Sequence, residues 1–332
     1  MNYIDKFIKP IEIAGELIPN NLWFAPLAGY SDKSLRSYIK KFGAGFSFTE
    51  MVPVDNIIRG DKRVLKSIAE LEDHTSIQLV GNNNPDQFYK ACRILLKIFP
   101  VRIIDTNFGC PVKNIINNKS GAYLLNEPEK MRDIIKAVKD SGAIASAKIR
   151  SGFDQVNIQS TIQALNDGKV DIITIHPRLA AMYYNGKADW EIIKQARILT
   201  KAVLIANGDI ISPEAAKKIV LLTGADGIMI GRQAVGAPYI FQQIKEFFLT
   251  ERYNVYPFDK IKEWMLEYSE LYIRNTGKNF IKPIRSILIQ FIKKNLNSDS
   301  INYQLSQIIK LQELEQLLKN YSECFKNIPV NI

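Results

Sequence analysis

Histidine is nearly missing from this chain of 332 residues, with only His74 and His176 available for acid–base work. Cysteine is almost as scarce. Cys92, Cys110 and Cys324 are odd in number, far apart and without metal spacing, which argues against both a disulfide framework and a zinc site. No run approaches the roughly 18 apolar residues of a membrane span. The opening MNYIDKFIKP carries an acid and lacks the apolar core of a secretory signal, so the expected location is the cytoplasm. A Gly-rich dinucleotide fingerprint is also missing after the first apolar segment, where APLAGY stands instead.

What is present is ordinary for a globular protein: 46% hydrophobic and 23% charged residues. The charge is not balanced, because 44 Lys and Arg against 34 Asp and Glu leave +10, and such an excess favours an anionic partner such as nucleic acid. Eight short apolar segments read as strands: Leu22 to Ala28, Gly45 to Met51, Ser76 to Gly81, Arg102 to Gly109, Ala143 to Arg150, Asp171 to Arg178, Ala202 to Asp209 and Gly227 to Arg232. Between them lie capped helical patterns such as PDQFYKACRILLKIF and SPEAAKKIVLLTG. Eight such units suit the (β/α)8 TIM barrel, typically about 250 residues, better than an open doubly wound sheet. Residues 1–240 are therefore expected to form the barrel. From Phe241 onward only helical patterns occur, which predicts a smaller all-helical C-terminal domain over residues 241–332.

Polar and reactive residues gather at the predicted strand ends. RIIDTNFGCP closes the fourth strand with Asn107 and Cys110; a thiol alone is more often structural, but this one sits where barrel enzymes do their chemistry. Gln78 interrupts an apolar strand and suits the edge of a heterocyclic ring. Lys148, among Ala and Ile, is too costly to bury idly and reads as a site cation. His176 and Arg178 share a strand end and together could hold phosphate. Asn207, Gly208 and Asp209, followed at the next strand by Gly231 and Arg232, have the features of a phosphate cradle; alone, NGD is a plain turn. The segment from Leu271 to Ser298 carries Arg274, Lys278, Lys282, Arg285, Lys293 and Lys294 with no acid and is interleaved with Tyr272, Phe280 and Phe291. That mixture suits phosphate contact and base stacking, or equally a solvated face over an apolar core.

APLAGYSD, TEM, QLVG, DTNFGCPVK, KIRSG, IHPR with YNGKADW, NGDI and GADGIMIGR occur in the order and spacing of the tRNA-dihydrouridine synthases. The chain resembles that family from about Leu22 to Tyr239, and its bacterial B-type members in particular. The resemblance implies an FMN enzyme that reduces the C5=C6 bond of uridines in tRNA to 5,6-dihydrouridine. Hydride would pass from reduced FMN N5 to C6 and a proton from Cys110 to C5, with NADPH or NADH as reductant. It implies that Pro26, Leu27 and Ala28 line the isoalloxazine, Gln78 bonds its pyrimidine edge, and Lys148 and His176 stand near the flavin. Asn207 to Asp209, Gly231 and Arg232 would hold its phosphate. Asn107 and Arg178 would face the substrate, and Arg274, Lys278, Lys282 and Arg285 would bind tRNA through the helical domain. A monomer without metal or membrane attachment is expected. Leu179, Ala180 and Ala181 depart from the family pattern after HPR. Two other functions fit parts of the sequence: an FMN barrel acting on a free small pyrimidine, of the dihydroorotate type, and a non-catalytic tRNA-binding protein or chaperone.

Overall fold

Runs of Ile, Val, Leu and Ala without alternation mark strands covered on both faces, and such strands pair in parallel under a layer of helices. The computed structural model describes residues 7–68, 71–278, 280–296 and 299–325, the last including 299, 300 and 322–325 by their backbone. Most of the opening MNYIDKFIKP, together with Ser298 and the thiol of Cys324, lies outside the described residues. A hairpin of β1 (Ile11–Ile13) and β2 (Glu16–Ile18) precedes β3 (Leu22–Phe24), β4 (Ser47–Phe48), β5 (Val52–Pro53), β6 (Thr75–Val80) and β7 (Ile103–Phe108). Then follow β8 (Ile144–Gly152), β9 (Ile172–Leu179), β10 (Val203–Asn207) and β11 (Gly227–Ile230).

From β3 on, neighbouring strands run parallel in the order β3-β11-β10-β9-β8-β7-β6-β4, with β5 also on β6. A parallel bridge between Trp23 and Phe46 joins the two ends, where Phe24 N–H donates to the Phe46 carbonyl at 2.8 Å. The sheet is thus a (β/α)8 barrel, as expected. Its first two strands are shorter than their apolar runs. Pro26 has no N–H for a ladder, and the Leu27 carbonyl turns to accept from Tyr30 and Ser31. After Phe48 the second strand breaks before β5, and the Thr49 hydroxyl takes the Gln78 N–H at 3.1 Å. β9 in contrast runs past His176 and Arg178, so those two residues lie within a strand.

The hairpin turns at Ala14 and Gly15, with φ of 49° and 81°, as a tight two-residue connection requires. Its Ile11, Ile13 and Ile18 pack against Trp23, Phe46, Phe48, Ile103, Ile172 and Met229 inside the barrel. Trp23, Phe46 and Phe48 form a mutual aromatic cluster, with centroids 5.1, 6.0 and 5.2 Å apart. This apolar layer fills the end of the barrel where the strands begin and leaves the opposite end for a site.

Helices surround the strands, each stopped by recognisable residues. Ser212 accepts from Ala215 N–H to start helix Pro213–Thr223, and Gly224, at φ 62°, ends it. Helix Ile240–Thr250 packs on Pro213–Thr223, and helix Phe258–Thr276 packs on Lys33–Lys41. There the Tyr38 hydroxyl donates to the Trp264 carbonyl at 2.9 Å. Helices Arg285–Asn295, Asp299–Gln307 and Leu311–Phe325 follow, with no strand after β11 among the described residues. Tyr272 and Phe291 of the basic stretch are core residues, whereas Phe280 is exposed beneath Lys278. Helix Arg285–Asn295 lies directly on the short helix Arg232–Gly236. A Cβ on Gly236 would stand 2.2 Å from the Gln290 carbonyl oxygen, so only glycine permits this approach. Among the described residues no helix is long and apolar enough to cross a membrane.

Candidate active site

A cavity of about 770 Å³ opens where the barrel strands end, within the range of small-molecule sites. Pro26, Leu27, Ala28, Gln78, Asn107, Cys110, Lys148, His176, Asn207, Gly208, Asp209, Gly231 and Arg232 all line it. Arg178 does not, and neither do Arg274, Lys278, Lys282 and Arg285.

Parallel register sets side chains of neighbouring strands side by side, and a chain of hydrogen bonds crosses three of them. Ser146 donates to Asp105 Oδ1 at 2.5 Å, and Gln78 Nε2 donates to Asp105 Oδ2 at 2.6 Å. Asn107 Nδ2 donates to Gln78 Oε1 at 2.8 Å. The Asn107 oxygen then accepts the backbone N–H groups of Gly109 and Cys110, at 3.0 and 2.9 Å. Cys110 is therefore held by a network anchored in the barrel interior. With both lone pairs of Oδ1 taken and one Nδ2 hydrogen on Gln78, what Asn107 keeps for another molecule is its second Nδ2 hydrogen, now directed at the Met51 sulfur 4.0 Å away.

Burial controls the titration of these groups. Asp105 is fully buried, and desolvation pushes its carboxyl up to about 6 against the pull of Gln78, Ser146 and Lys148. Lys148 is brought down to about 8 by burial and by Arg150, while Asp105 and Cys110 oppose the shift. At neutral pH its amine keeps its charge. Burial also raises the Cys110 thiol above the ordinary thiol range, despite the Val112 N–H and the nearby cations, so the thiol stays protonated at neutral pH. His176 is driven down to about 2 by burial and then by Lys148, Arg150, Arg178 and Arg232. Arg178 Nη1 lies 3.0 Å from His176 Nε2. A guanidinium only donates, so Nε2 accepts and the ring proton sits on Nδ1. His176 is a neutral hydrogen-bonding group here and not a proton carrier.

Arg178, expected from the sequence to face the substrate, is 4% exposed behind His176. It donates to both Asp209 oxygens at 2.8 and 2.7 Å, and to the Asn185 and Gly186 carbonyls. Its donors are spent on fixing His176 and the NGD turn. Asp209, at φ 55°, also accepts the Ala188 N–H at 2.8 Å. At Gly208, φ is 111° and a Cβ would press on the His176 ring at 2.8 Å, so glycine is required. Arg285 is engaged as well, because its guanidinium donates to the Ile308 and Gln307 carbonyls and caps helix Asp299–Gln307.

Several site residues were not singled out by sequence. Asp105 was an acid inside a β-branched run, which was its signal. Arg150 follows Lys148 by two on β8, the spacing that returns a side chain to the same face of a strand. It binds the Gly109 carbonyl at 2.9 Å and the Tyr183 carbonyl at 2.6 Å, tying the Cys110 loop to the loop after β9. In that loop Tyr184 carries Arg232 at 4.8 Å and Arg150 at 5.5 Å from its ring centroid. Gln290 and Lys294, from helix Arg285–Asn295, also reach the cavity, with no sequence signal beyond a basic helix. Among the described residues no group of His, Cys, Asp or Glu is arranged to hold a metal ion.

Fold and site define a (β/α)8-barrel enzyme whose mouth presents a protonated thiol, a charged lysine and a cationic wall. The family described as Dihydrouridine synthase (Dus) matches residues 23–328, and the chain belongs to that family of oxidoreductases. A "Probable tRNA-dihydrouridine synthase" of Aquifex aeolicus is 30% identical over 304 residues, covering 90% of this chain and 94% of that protein. The "tRNA-dihydrouridine synthase B" of Vibrio cholerae is 34% identical over 242 residues, covering 71% and 74%. Among solved structures, an old yellow enzyme homologue from Zymomonas mobilis aligns with a TM-score of 0.52 at 13% identity, covering 77% of this chain and 95% of that one. A 2-naphthoyl-CoA reductase complex aligns at 0.57 and 12%, covering 73% and 52%. At such identities the likeness is one of fold.

Proposed function

We propose that this protein reduces uridine in tRNA to 5,6-dihydrouridine, using FMN held in the barrel mouth and NADPH or NADH as reductant. It acts as a cytoplasmic monomer. The observation that carries it is a protonated thiol beside a charged lysine in a cavity lined by Lys148, Arg150, Arg232 and Lys294 against one carboxylate, Asp209. An anionic, planar cofactor fits that lining. Pro26, Leu27 and Ala28 give it an apolar wall, and the glycines at 208 and 231 clear space beside Arg232. Gln78 keeps a second N–H and a second lone pair for a ring edge.

When bound and reduced by NADPH or NADH, FMN would supply hydride for C6 of the uracil. Cys110 holds the proton for C5, and the Asn107 bonds to the backbone of Gly109 and Cys110 fix where that proton is delivered. Lys148 places positive charge where the flavin becomes electron-rich. His176 donates through Nδ1 and stays neutral throughout. Arg274, at the end of helix Phe258–Thr276, and Lys278 and Lys282, in the segment that follows it, are exposed and are assigned to RNA phosphates, whereas Arg285 holds that helical region together. We take these helices as the tRNA-recognition part of the chain.

Replacing the thiol tests the assignment. Cys110→Ala should still purify yellow but form dihydrouridine at least about 100-fold more slowly, the usual scale for losing a general acid. An undiminished rate would remove Cys110 from the mechanism. A colourless wild-type protein that leaves tRNA unmodified would overturn the whole reading.

A further inference from the structure

We infer that Lys294, supplied by the C-terminal helices, binds the phosphate of the flavin mononucleotide together with Arg232. This rests on the FMN reading above and extends it to a residue outside the barrel strands. Gln290 and Lys294 are one helical turn apart, and both reach the cavity. The helix that carries them is pinned in place. A Cβ on Gly236 would lie 2.2 Å from the Gln290 carbonyl oxygen and 2.9 Å from Lys294 Cγ, so the lysine stem lies across that glycine. Asn295 Nδ2 donates to the Gly236 carbonyl at 3.3 Å, and the Tyr239 hydroxyl donates to Asn295 Oδ1 at 2.5 Å.

The positive charge at this end of the cavity is only partly balanced. Lys294 has no ion pair with a carboxylate among the described residues, and burial and then Arg232 hold its amine below the ordinary lysine range. The carboxylate near Arg232 is Asp209 at 3.6 Å, and that group already takes two hydrogen bonds from Arg178. Two neighbouring cations facing one cavity call for an anion between them. A phosphate monoester carries roughly −1.5 to −2 charges at neutral pH, whereas each phosphodiester of RNA carries one. Two cations facing one cavity, one of them beside the NGD turn, match the monoester. Cofactor retention thereby depends on the C-terminal helices being seated on the barrel.

The test compares FMN with riboflavin, which lacks the phosphate, by titrating the flavin-free full chain and following quenching of flavin fluorescence. Lys294→Met should weaken FMN roughly tenfold and leave riboflavin unchanged, with Lys294→Arg restoring FMN. Gly236→Ala, which displaces the helix, should show the same FMN-selective loss. Several outcomes would overturn the inference: Lys294→Met binding FMN like wild type, or losing FMN and riboflavin in parallel. Unchanged FMN with weaker tRNA binding would also overturn it, moving the lysine to an RNA phosphate. Wild-type protein that binds neither flavin would instead sink the FMN reading itself, and this inference with it.

Discussion

The side chain that sets the pH behaviour of the site is Lys148. Its amine gives up its proton near pH 8, while burial holds the Cys110 thiol above the ordinary thiol range. The reductive rate should therefore fall above about pH 8 through the lysine, as a pH–rate profile of single turnover would show. Asp105→Asn removes the charge that helps keep that proton in place and should move the alkaline limb to lower pH. The same substitution has a signature in stability. The Asp105 carboxyl is raised to about 6 from 3.8, so the folded state binds this proton more tightly than the unfolded chain. Its contribution rises as pH falls from about 6 toward 4 and is lost on going up through 6; urea melts of Asp105→Asn should lack that slope. Cys110, Lys148 and Gln78 were legible because thiols, amines and amides are out of place at apolar strand ends. Asp105, Arg150 and Tyr184 were not, because their importance lies in cross-strand register and loop closure, which a linear pattern does not carry.

At the scale of elements, eight apolar runs separated by capped helices were enough to specify the barrel. The strand limits were not, because an apolar run continues past the point where Pro26 or the Thr49 hydroxyl ends the ladder. The N-terminal hairpin leaves no such signal, since three-residue strands are too short a pattern and Ala14 is not among the residue types that mark a turn with positive φ at both central positions. It matters to stability: Ile13 is 3% exposed in the barrel's apolar layer. Ile13→Ala should lower the unfolding free energy by about 2–5 kcal/mol, measured by chemical denaturation, with the cavity at the other end intact. In the basic C-terminal stretch the two residue types part company. Its aromatic residues are mostly core, while Arg274, Lys278 and Lys282 do face solvent.

For the whole molecule, an excess of +10 implies that association with RNA weakens steeply with salt. Removing Arg274, Lys278 and Lys282 together should flatten the plot of log affinity against log salt by roughly 2–3, about one for each phosphate no longer neutralised. Arg285→Ala should instead lower the melting temperature, because it uncaps helix Asp299–Gln307. The apolar layer beneath the cavity, sealed by the hairpin, has a kinetic meaning as well. A closed floor makes the barrel a cul-de-sac, in which reductant and nucleic acid must share one doorway and visit the same flavin by turns. Double-reciprocal plots at varied concentrations of the two should accordingly give parallel lines, the mark of an enzyme that discharges one visitor before it admits the next.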